Sequence, residues 1–240
     1  MIQGLLLDLD GTLLINDMDT FGRFYFKAIA KHMASLLDPD LFMSALMSST
    51  EAMYQNDGRG GTNVEVFQAH FFELTQADPA VIMPALNEFY QTTFQDLDIY
   101  TERDPAARRL VEWAISRGLK LAVATQPLFP LEAILTRLRW AGVSADEFHY
   151  DLITSYEVMR TCKPHPLYFR HVAASLQLDV DQCCMVGDSV EADLPAGEVG
   201  MRTYWVVRDL ERITDRVAAN GRGTLDHLIY WLEHGGNDVV

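Results

Sequence analysis

The sequence predicts an α/β fold in which a doubly wound parallel sheet carries an inserted helical segment. Outside residues 16–100, short apolar runs alternate with amphipathic helical patterns, which is typical of a parallel sheet covered by helices. These runs lack internal proline and mostly lack polar alternation, as strands buried on both faces do. Residues 16–100 instead contain consecutive helical patterns without a convincing strand.

Five apolar runs are predicted to form the strands of a Rossmann-like sheet. They are Leu5–Leu9, Leu119–Ala124, Leu152–Thr154, Cys183–Val186 and Thr203–Val207. The intervening helices have recognisable ends. Asp104 and Pro105 cap and open a helix over Ala106–Arg117, and Gly142 ends another over Pro130–Ala141. Alternating strands and helices of this kind predict right-handed crossovers within one sheet.

The helical segment divides the chain into two predicted domains, an α/β core of residues 1–15 and 101–240 and a helical domain of residues 16–100. Three capping signals support the helices of the second domain. They are Asp19 or Thr20 before Phe21–Leu36, Thr62 with Glu65 in a capping box, and Asp78-Pro79 before a helix running toward Leu97.

Composition excludes several classes of partner. A formal net charge of −15 and a pI near 4.7 repel the phosphates of nucleic acids and anionic membranes. No stretch approaches the roughly 20 apolar residues of a membrane span, and the N-terminus lacks the features of a signal peptide. The three cysteines match neither a disulfide framework nor a zinc site. We therefore expect a cytoplasmic protein with buried thiols.

The strongest chemical signal follows the first strand, where Asp8 and Asp10 stand two residues apart before Gly11. Ligands bind at the carboxyl ends of strands in open α/β sheets, and Gly11 allows a turn whose N–H groups can face an anion. A carboxylate can attack phosphorus if a divalent cation and a neighbouring acid assist it. Asp-x-Asp-Gly also occurs in turns and calcium loops, but the later calcium ligands are missing.

The run from Asp8 to Leu13 resembles the first motif of the haloacid dehalogenase superfamily, and the other three motifs follow in order. Thr125 at the end of the second strand matches the second motif, although Gln126 stands where the family commonly has Asn. The third motif corresponds to Lys163 before Pro164. The fourth corresponds to Gly187-Asp188-Ser189, with Asp193 five residues after Asp188.

This resemblance implies a role for each matched residue. Asp8 would be the nucleophile, Asp10 the general acid and base, and Lys163 the cation that neutralises the transferring phosphoryl group. Phosphate contacts are expected from Gly11, Thr12, Thr125, Gln126 and Lys163. The expected Mg²⁺ ligands are Asp8, the main-chain carbonyl of Asp10, Asp188 and, directly or through water, Asp193.

The resemblance implies a magnesium-dependent phosphohydrolase acting on a small phosphorylated metabolite, with residues 16–100 as a substrate-selecting cap. A dehalogenase is disfavoured by the carboxyl of Asp10, whereas a phosphomutase of the β-phosphoglucomutase kind would retain both acids. A non-catalytic regulatory protein with the same fold is a further alternative. Arg59, in a glycine-rich loop, is a hypothetical contact to a substrate anion. Either a monomer or a homodimer is compatible with the sequence.

Overall fold

The computed structural model describes residues 2–209 and 217–235. Its strands are β1 (Gly4–Leu7), β2 (Leu14–Asn16), β3 (Thr101–Arg103), β4 (Lys120–Val123), β5 (Leu152–Ile153), β6 (Cys183–Gly187), β7 (Arg202–Val206) and β8 (Gly221–Gly223). Among the described residues, six of these strands form a parallel sheet in the order β5-β4-β1-β6-β7-β8. This arrangement confirms the predicted α/β fold class.

The position of β1 creates the site for a ligand. From β1 the chain passes to β4 and β5 on one side, then returns to β6, β7 and β8 on the other. The crossover places a topological switch point beside β1, where ligands bind in sheets of this kind. Leu7 at the end of β1 is in register with Val123 of β4 and Val186 of β6, so these three strands end at the same edge.

Both faces of the sheet are buried, as the unbroken apolar runs predicted. Leu5 and Leu7 pack into one cluster with helices α5 (Pro105–Ser116), α6 (Leu131–Ala141) and α8 (Leu225–Glu233). Leu6 points to the opposite face and packs into a second cluster with α7 (Pro166–Ser175). Successive side chains of a strand point to opposite faces, so β1 contributes to both halves of the core.

Residues 18–100, all of which are described, form what we call the helical insert. It contains α1 (Met18–Met33), α2 (Pro39–Tyr54), α3 (Asn63–Thr75), α4 (Pro79–Gln91) and a 3-10 helix, Thr93–Tyr100. The antiparallel pairing of β2 with β3 holds its two ends together. An aromatic core that includes Phe21, Phe89 and Phe94 fills the insert and extends onto Trp140 of α6. The division into two domains remains a prediction.

Several local features differ from those predicted. The first helix begins at Met18, because the Asp17 carboxylate caps it by accepting from the Asp19 N–H and the Thr20 hydroxyl. The helix opened by Asp78-Pro79 ends at Gln91, where the backbone of Thr92 departs from helical geometry. The strands β2, β3 and β8 were not predicted, because each has only three residues, too few to show a periodicity, and none is a run of apolar residues like the predicted strands.

Other local predictions are confirmed. Thr62 and Glu65 form the capping box at the start of α3. All three cysteines are free and buried. None of the helices in the two described ranges is long and apolar enough to cross a membrane.

Candidate active site

Three adjacent strands deliver the candidate site residues to one edge of the sheet. Asp8 follows β1, Thr125 lies two residues after β4, and Asp188 follows β6. The Asp8 N–H continues the ladder by donating to the Val186 carbonyl at 2.9 Å. The carbonyl of Thr125 accepts from the hydroxyls of Thr154 and Tyr168, which fixes the end of β4. The parallel register therefore assembles a site from residues 180 positions apart in the chain.

Lys163 links two of the acidic residues. Its ammonium donates to Asp8 Oδ1 at 2.7 Å and to Asp193 Oδ1 at 2.6 Å. The Lys163 side chain is only 3% exposed and that of Asp193 only 1% exposed. Charge-assisted hydrogen bonds of this length are among the strongest in proteins. Lys163 is thus held as a fixed positive charge beside Asp8.

The site holds more negative than positive charge. Asp8, Asp188 and Asp193 each offer a carboxylate oxygen, and these oxygens all lie within 4.8 Å of one another. Burial raises the pKa of Asp8 well above its usual value, and although Lys163 opposes this shift, Asp193 and Asp188 add to it. Burial, then the charge of Asp193, raise the pKa of Asp188 to about 6. Burial alone would lower the pKa of Lys163, but the two carboxylates raise it overall.

Two glycines allow the carboxylates to approach the backbone. Gly11 has a φ of +80°, and a Cβ at this position would lie 2.3 Å from Asp188 Oδ2. A Cβ at Gly187 would lie 2.1 Å from Asp193 Oδ2. Both distances are well below van der Waals contact, so any side chain at either position would displace a carboxylate. Glycine is therefore required for steric reasons at position 11 and at position 187.

Three carboxylates around one ammonium fit a divalent cation. Carboxylate oxygens are the ligands that Mg²⁺ prefers, and Mg²⁺ usually binds through one or two carboxylates and several waters. Burial raises the pKa values of Asp8 and Asp188, and the negative charge of Asp193 raises both further. Asp193 already uses Oδ1 for Lys163 and Oδ2 for the Ser189 N–H. Asp8 and Asp188 are consequently better placed than Asp193 to contact a metal directly.

Asp10 lies outside this acidic cluster, because other groups bind its carboxylate. Asn16 Nδ2 donates to Asp10 Oδ1 at 2.8 Å, and Arg137 Nη1 donates to Asp10 Oδ2. Arg137 is fully buried in α6, and its guanidinium lies 4.4 Å from the centre of the Phe129 ring. The Asp10 carboxylate therefore lies apart from the acidic cluster, and the main-chain carbonyl of Asp10 remains the candidate metal ligand.

Sequence reasoning missed Arg137, although its position carried a signal. Arg137 stands four residues from both Ala133 and Ala141, which are buried in the same helix. A charged residue on an apolar helical stripe requires a buried partner. In the structure that partner is Asp10. The Nη2 atom of Arg137 is buried without a hydrogen-bond partner.

The structure places the side chain of Gln126, a predicted phosphate contact, against the backbone of Lys163. Its Nε2 donates to the Lys163 carbonyl at 3.0 Å, and its Oε1 accepts from the Lys163 N–H at 2.8 Å. Both polar ends of the amide are thus bonded to the backbone of Lys163, and a contact of Gln126 with phosphate stays a prediction. These bonds join the loop after β4 to the loop that carries the catalytic lysine candidate.

The N–H groups of Gly11 and Thr12, two predicted phosphate contacts, are hydrogen-bonded within the chain. The Gly11 N–H donates to the Leu14 carbonyl and to Asn16 Oδ1, and the Thr12 N–H donates to the Leu9 carbonyl. These bonds close the turn after β1, so the two N–H groups do not form the predicted nest. The Thr12 hydroxyl instead donates to Asp188 Oδ1 at 3.2 Å.

Two arginines complete the description of this region. Arg208, which the sequence did not single out, donates to the carbonyls of Gly11 and Thr12 and to Asp104. It therefore supports the turn that carries Asp10. Arg59 has a side chain that is 91% exposed and lies near Asp57. The contact of Arg59 with a substrate anion stays a hypothesis.

Comparison with known proteins identifies the family of this chain. Residues 2–200 match the family described as haloacid dehalogenase-like hydrolase. The glyceraldehyde 3-phosphate phosphatase of Pyrococcus abyssi (strain GE5 / Orsay) is 28% identical over 131 residues, which are 53% of this chain and 50% of that protein. The chain thus spans about half the length of this curated relative.

Solved structures share the fold at low sequence identity. A HAD phosphatase from Thermococcus onnurineus is 21% identical with a TM-score of 0.59, covering 99% of this chain and 100% of the other. A 2-haloacid dehalogenase from Pseudomonas syringae pv. Tomato DC3000 is 18% identical with a TM-score of 0.66, covering 98% and 100%. Because phosphatases and dehalogenases both occur among these structures, the fold alone does not distinguish the two reactions.

Proposed function

The chain belongs to the haloacid dehalogenase-like hydrolase family, and we propose that it is a magnesium-dependent phosphohydrolase that cleaves small phosphate monoesters. The observation that carries this proposal is the separation of two carboxylates in the motif after β1. Asp8 faces Lys163 and the acidic cluster, whereas Asp10 is held apart by Arg137 and Asn16. One carboxylate is thus available for attack on phosphorus and the other for proton transfer.

In the proposed first step, an Asp8 oxygen attacks the phosphorus of the ester. A bond forms between Asp8 and phosphorus, the bond from phosphorus to the ester oxygen breaks, and protonated Asp10 gives its proton to the departing oxygen. Lys163, 2.7 Å from Asp8 Oδ1, reduces the repulsion between two negative groups. General acid assistance is typically worth ~10²–10⁴-fold in rate.

In the second step, water attacks the aspartyl phosphate. Asp10, now a carboxylate, takes a proton from the water, and the bond between phosphorus and Asp8 breaks to release phosphate and restore the nucleophile. Asp10 accepts hydrogen bonds on both oxygens in the structure, an arrangement suited to this unprotonated state. Thr125 at the end of β4 would contribute a hydroxyl donor to the phosphate.

A divalent cation is expected at the acidic cluster. When bound, Mg²⁺ would neutralise the negative charge shared by the attacking carboxylate and the phosphate oxygens. Asp8 and Asp188 would hold it, and Asp193 would keep Lys163 and the Ser189 N–H in place. The Thr12 hydroxyl would orient Asp188 through the hydrogen bond to Oδ1.

Two alternative reactions, dehalogenation and phosphoryl transfer by a mutase, can be compared with the same site. A dehalogenase has no need of an acid two residues after its nucleophile, so the elaborate support of Asp10 favours phosphoryl transfer. A phosphomutase would use both acids and differ only in the fate of the aspartyl phosphate. Release of inorganic phosphate from a sugar phosphate, without an isomerised product, would exclude the mutase.

A phosphate-release assay tests the proposal. Purified protein is given a panel of phosphate monoesters with Mg²⁺ or with EDTA, beside Asp8→Asn and the surface control Asp96→Asn. We expect release that depends on Mg²⁺, is abolished by Asp8→Asn and persists in Asp96→Asn. Release by Asp8→Asn at a rate comparable to the unaltered protein would overturn the assignment of the nucleophile.

A further inference from the structure

An apolar cavity lies between the helical insert and the segment that follows β4. Its volume is about 290 Å³, and its lining includes Met18 and Tyr25 of α1, Met47 of α2, Tyr90 of α4 and Phe129. We call it the insert cavity. Because it is built from both the insert and the core, its contents would contact the part of the enzyme that selects substrates in lid-bearing hydrolases.

The lining of the insert cavity has no charged side chain among the described residues. Its polar groups are hydroxyls, and several already have partners. Tyr25 and Tyr90 hydrogen-bond to each other at 2.8 Å, and the Thr50 hydroxyl donates to the Leu46 carbonyl. A carboxylate or second phosphate placed there would lose its hydration without gaining an ionic partner. The lining therefore disfavours polyanionic substrates.

Two chains of contacts join this cavity to Asp10. Met18 lines the cavity, and its Sδ lies 3.4 Å from the Asn16 Nδ2 that donates to Asp10. Phe129 lines the cavity from the other side and stacks with Arg137, which also donates to Asp10. On each path a single residue, Asn16 or Arg137, lies between the cavity lining and Asp10, the residue that would protonate the leaving group.

A third contact joins the cavity to the catalytic lysine candidate. Tyr54 lines both the insert cavity and a neighbouring cleft that Lys163 and Pro164 also line. Met18, Met47 and Tyr54 are 44%, 49% and 46% exposed. These values distinguish the cavity from an ordinary core void, because large apolar side chains at its edge face solvent.

We propose, on the basis of the proposed function, that the insert cavity binds the organic group of the substrate and that this group is apolar. The substrate class would be phosphate monoesters of aromatic or branched aliphatic alcohols. A cavity of roughly 150 Å³ lined by apolar side chains can hold benzene, so the insert cavity accommodates a group of one to two rings. Flexible methionine side chains at its edge suit groups of different shape.

The proposal is tested by comparing leaving groups of similar chemistry. Benzyl phosphate and ribose 5-phosphate are both esters of primary alcohols, whereas acetyl phosphate has too small an organic group to fill the cavity. We expect kcat/KM for benzyl phosphate to exceed that for ribose 5-phosphate by about 10- to 100-fold, the range expected for burial of one ring. Equal or faster hydrolysis of ribose 5-phosphate would overturn the proposed substrate class.

A cavity-filling variant provides the structural test. A Cβ at Gly22, which lines the cavity, meets only the Phe26 ring at 3.8 Å, so Gly22→Leu would place its side chain in open space. We expect the ratio of kcat/KM for benzyl phosphate to that for acetyl phosphate to fall about tenfold. The exposed neighbour Arg23→Leu is the matched control and should keep the original ratio. An unchanged ratio in folded Gly22→Leu would contradict the proposal.

A measurement on the unaltered enzyme keeps the test decisive if Gly22→Leu does not fold. Benzyl alcohol should inhibit acetyl phosphate hydrolysis at concentrations at which glycerol has no effect, and equal inhibition would contradict an apolar site. Different outcomes would refute the proposed phosphohydrolase activity and the proposed substrate class. Absence of phosphate release even from acetyl phosphate would refute the proposed function itself, whereas release without preference for the apolar ester would refute only the substrate class.

Discussion

Arg137, fully buried in α6, donates to the carboxylate of Asp10, which lies 127 residues earlier in the chain. Arg137 bonds to the Oδ2 atom of Asp10, and Asn16 bonds to the Oδ1 atom. Because Arg137 has no opening to solvent, it acts on the reaction through the position of Asp10. We regard it as a positioning residue.

Replacing Arg137 with methionine should lower kcat about 10²-fold with a smaller effect on KM, because small misplacements of a reacting group have effects of this size. The half-exposed neighbour Arg139→Met, which removes hydrogen bonds to Glu132 and to the Thr136 hydroxyl but none to Asp10, serves as the control. In an Asp10→Asn background, Arg137→Met should reduce kcat little further. Additive losses in the double variant would show that Arg137 acts independently of Asp10.

The binding of Mg²⁺ should weaken as the pH falls through about 6. Asp188 must lose its proton to bind a cation, and burial raises its pKa to about 6. Below that pH the apparent affinity should fall about tenfold per pH unit. Isothermal titration calorimetry between pH 5 and 8 would measure the dependence, and a pH-independent affinity would contradict a role for Asp188 as ligand.

The stability of the metal-free protein should depend on pH in the opposite sense. Because folding raises the pKa of Asp188, its contribution to stability is fully present below its ordinary pKa of 3.8 and is lost as the pH rises through about 6. The raised pKa of Asp8 acts in the same direction. Added Mg²⁺ should therefore increase Tm more at pH 8 than at pH 5.

Gln126→Leu should reduce the activity toward all substrates by a similar factor. The side-chain amide bonds to the backbone of Lys163 and interacts with the Tyr54 hydroxyl, so its loss would chiefly loosen Lys163. A kcat/KM series over the phosphate-ester panel would measure this. A changed order of preference among the esters would instead restore Gln126 as a substrate-binding residue.

Gly187→Ala should both destabilise the protein and impair the site. The new Cβ would lie 2.1 Å from Asp193 Oδ2, and overpacking of this kind typically costs about 1–3 kcal/mol. Gly197→Ala is a matched control, since its Cβ would lie 3.7 Å from the Thr203 methyl. Urea unfolding would compare the two, and equal free energies of unfolding would contradict the steric role of Gly187.

The sequence predicted the parts of the fold that depend on local pattern. The apolar runs located five of the six strands of the parallel sheet, all except β8. The Asp8 motif after β1 placed the acids at the correct edge of this sheet. Lys163 and Asp188 could be assigned only through the order of motifs. In isolation, neither residue has a spacing that indicates a site.

The remaining features depend on contacts between distant residues. The Gly221–Gly223 strand owes its existence to pairing with β7, since glycine has a low intrinsic preference for strands. The amide of Gln126 could equally have faced a phosphate, and only the approach of Lys163 decides its partner. The insert cavity likewise depends on how α1 and α2 pack over Phe129, which no sequence periodicity specifies.

The central claim is that Asp8 becomes phosphorylated during turnover. Borohydride reduces an acyl phosphate to an alcohol, so quenching a reaction of enzyme, Mg²⁺ and acetyl phosphate with borohydride should convert residue 8 to homoserine. Tandem mass spectrometry of the N-terminal peptide would locate the change. We predict homoserine at position 8, dependent on substrate and on Mg²⁺; an unmodified Asp8 during active phosphate release, or reduction at Asp10 instead, would contradict the account.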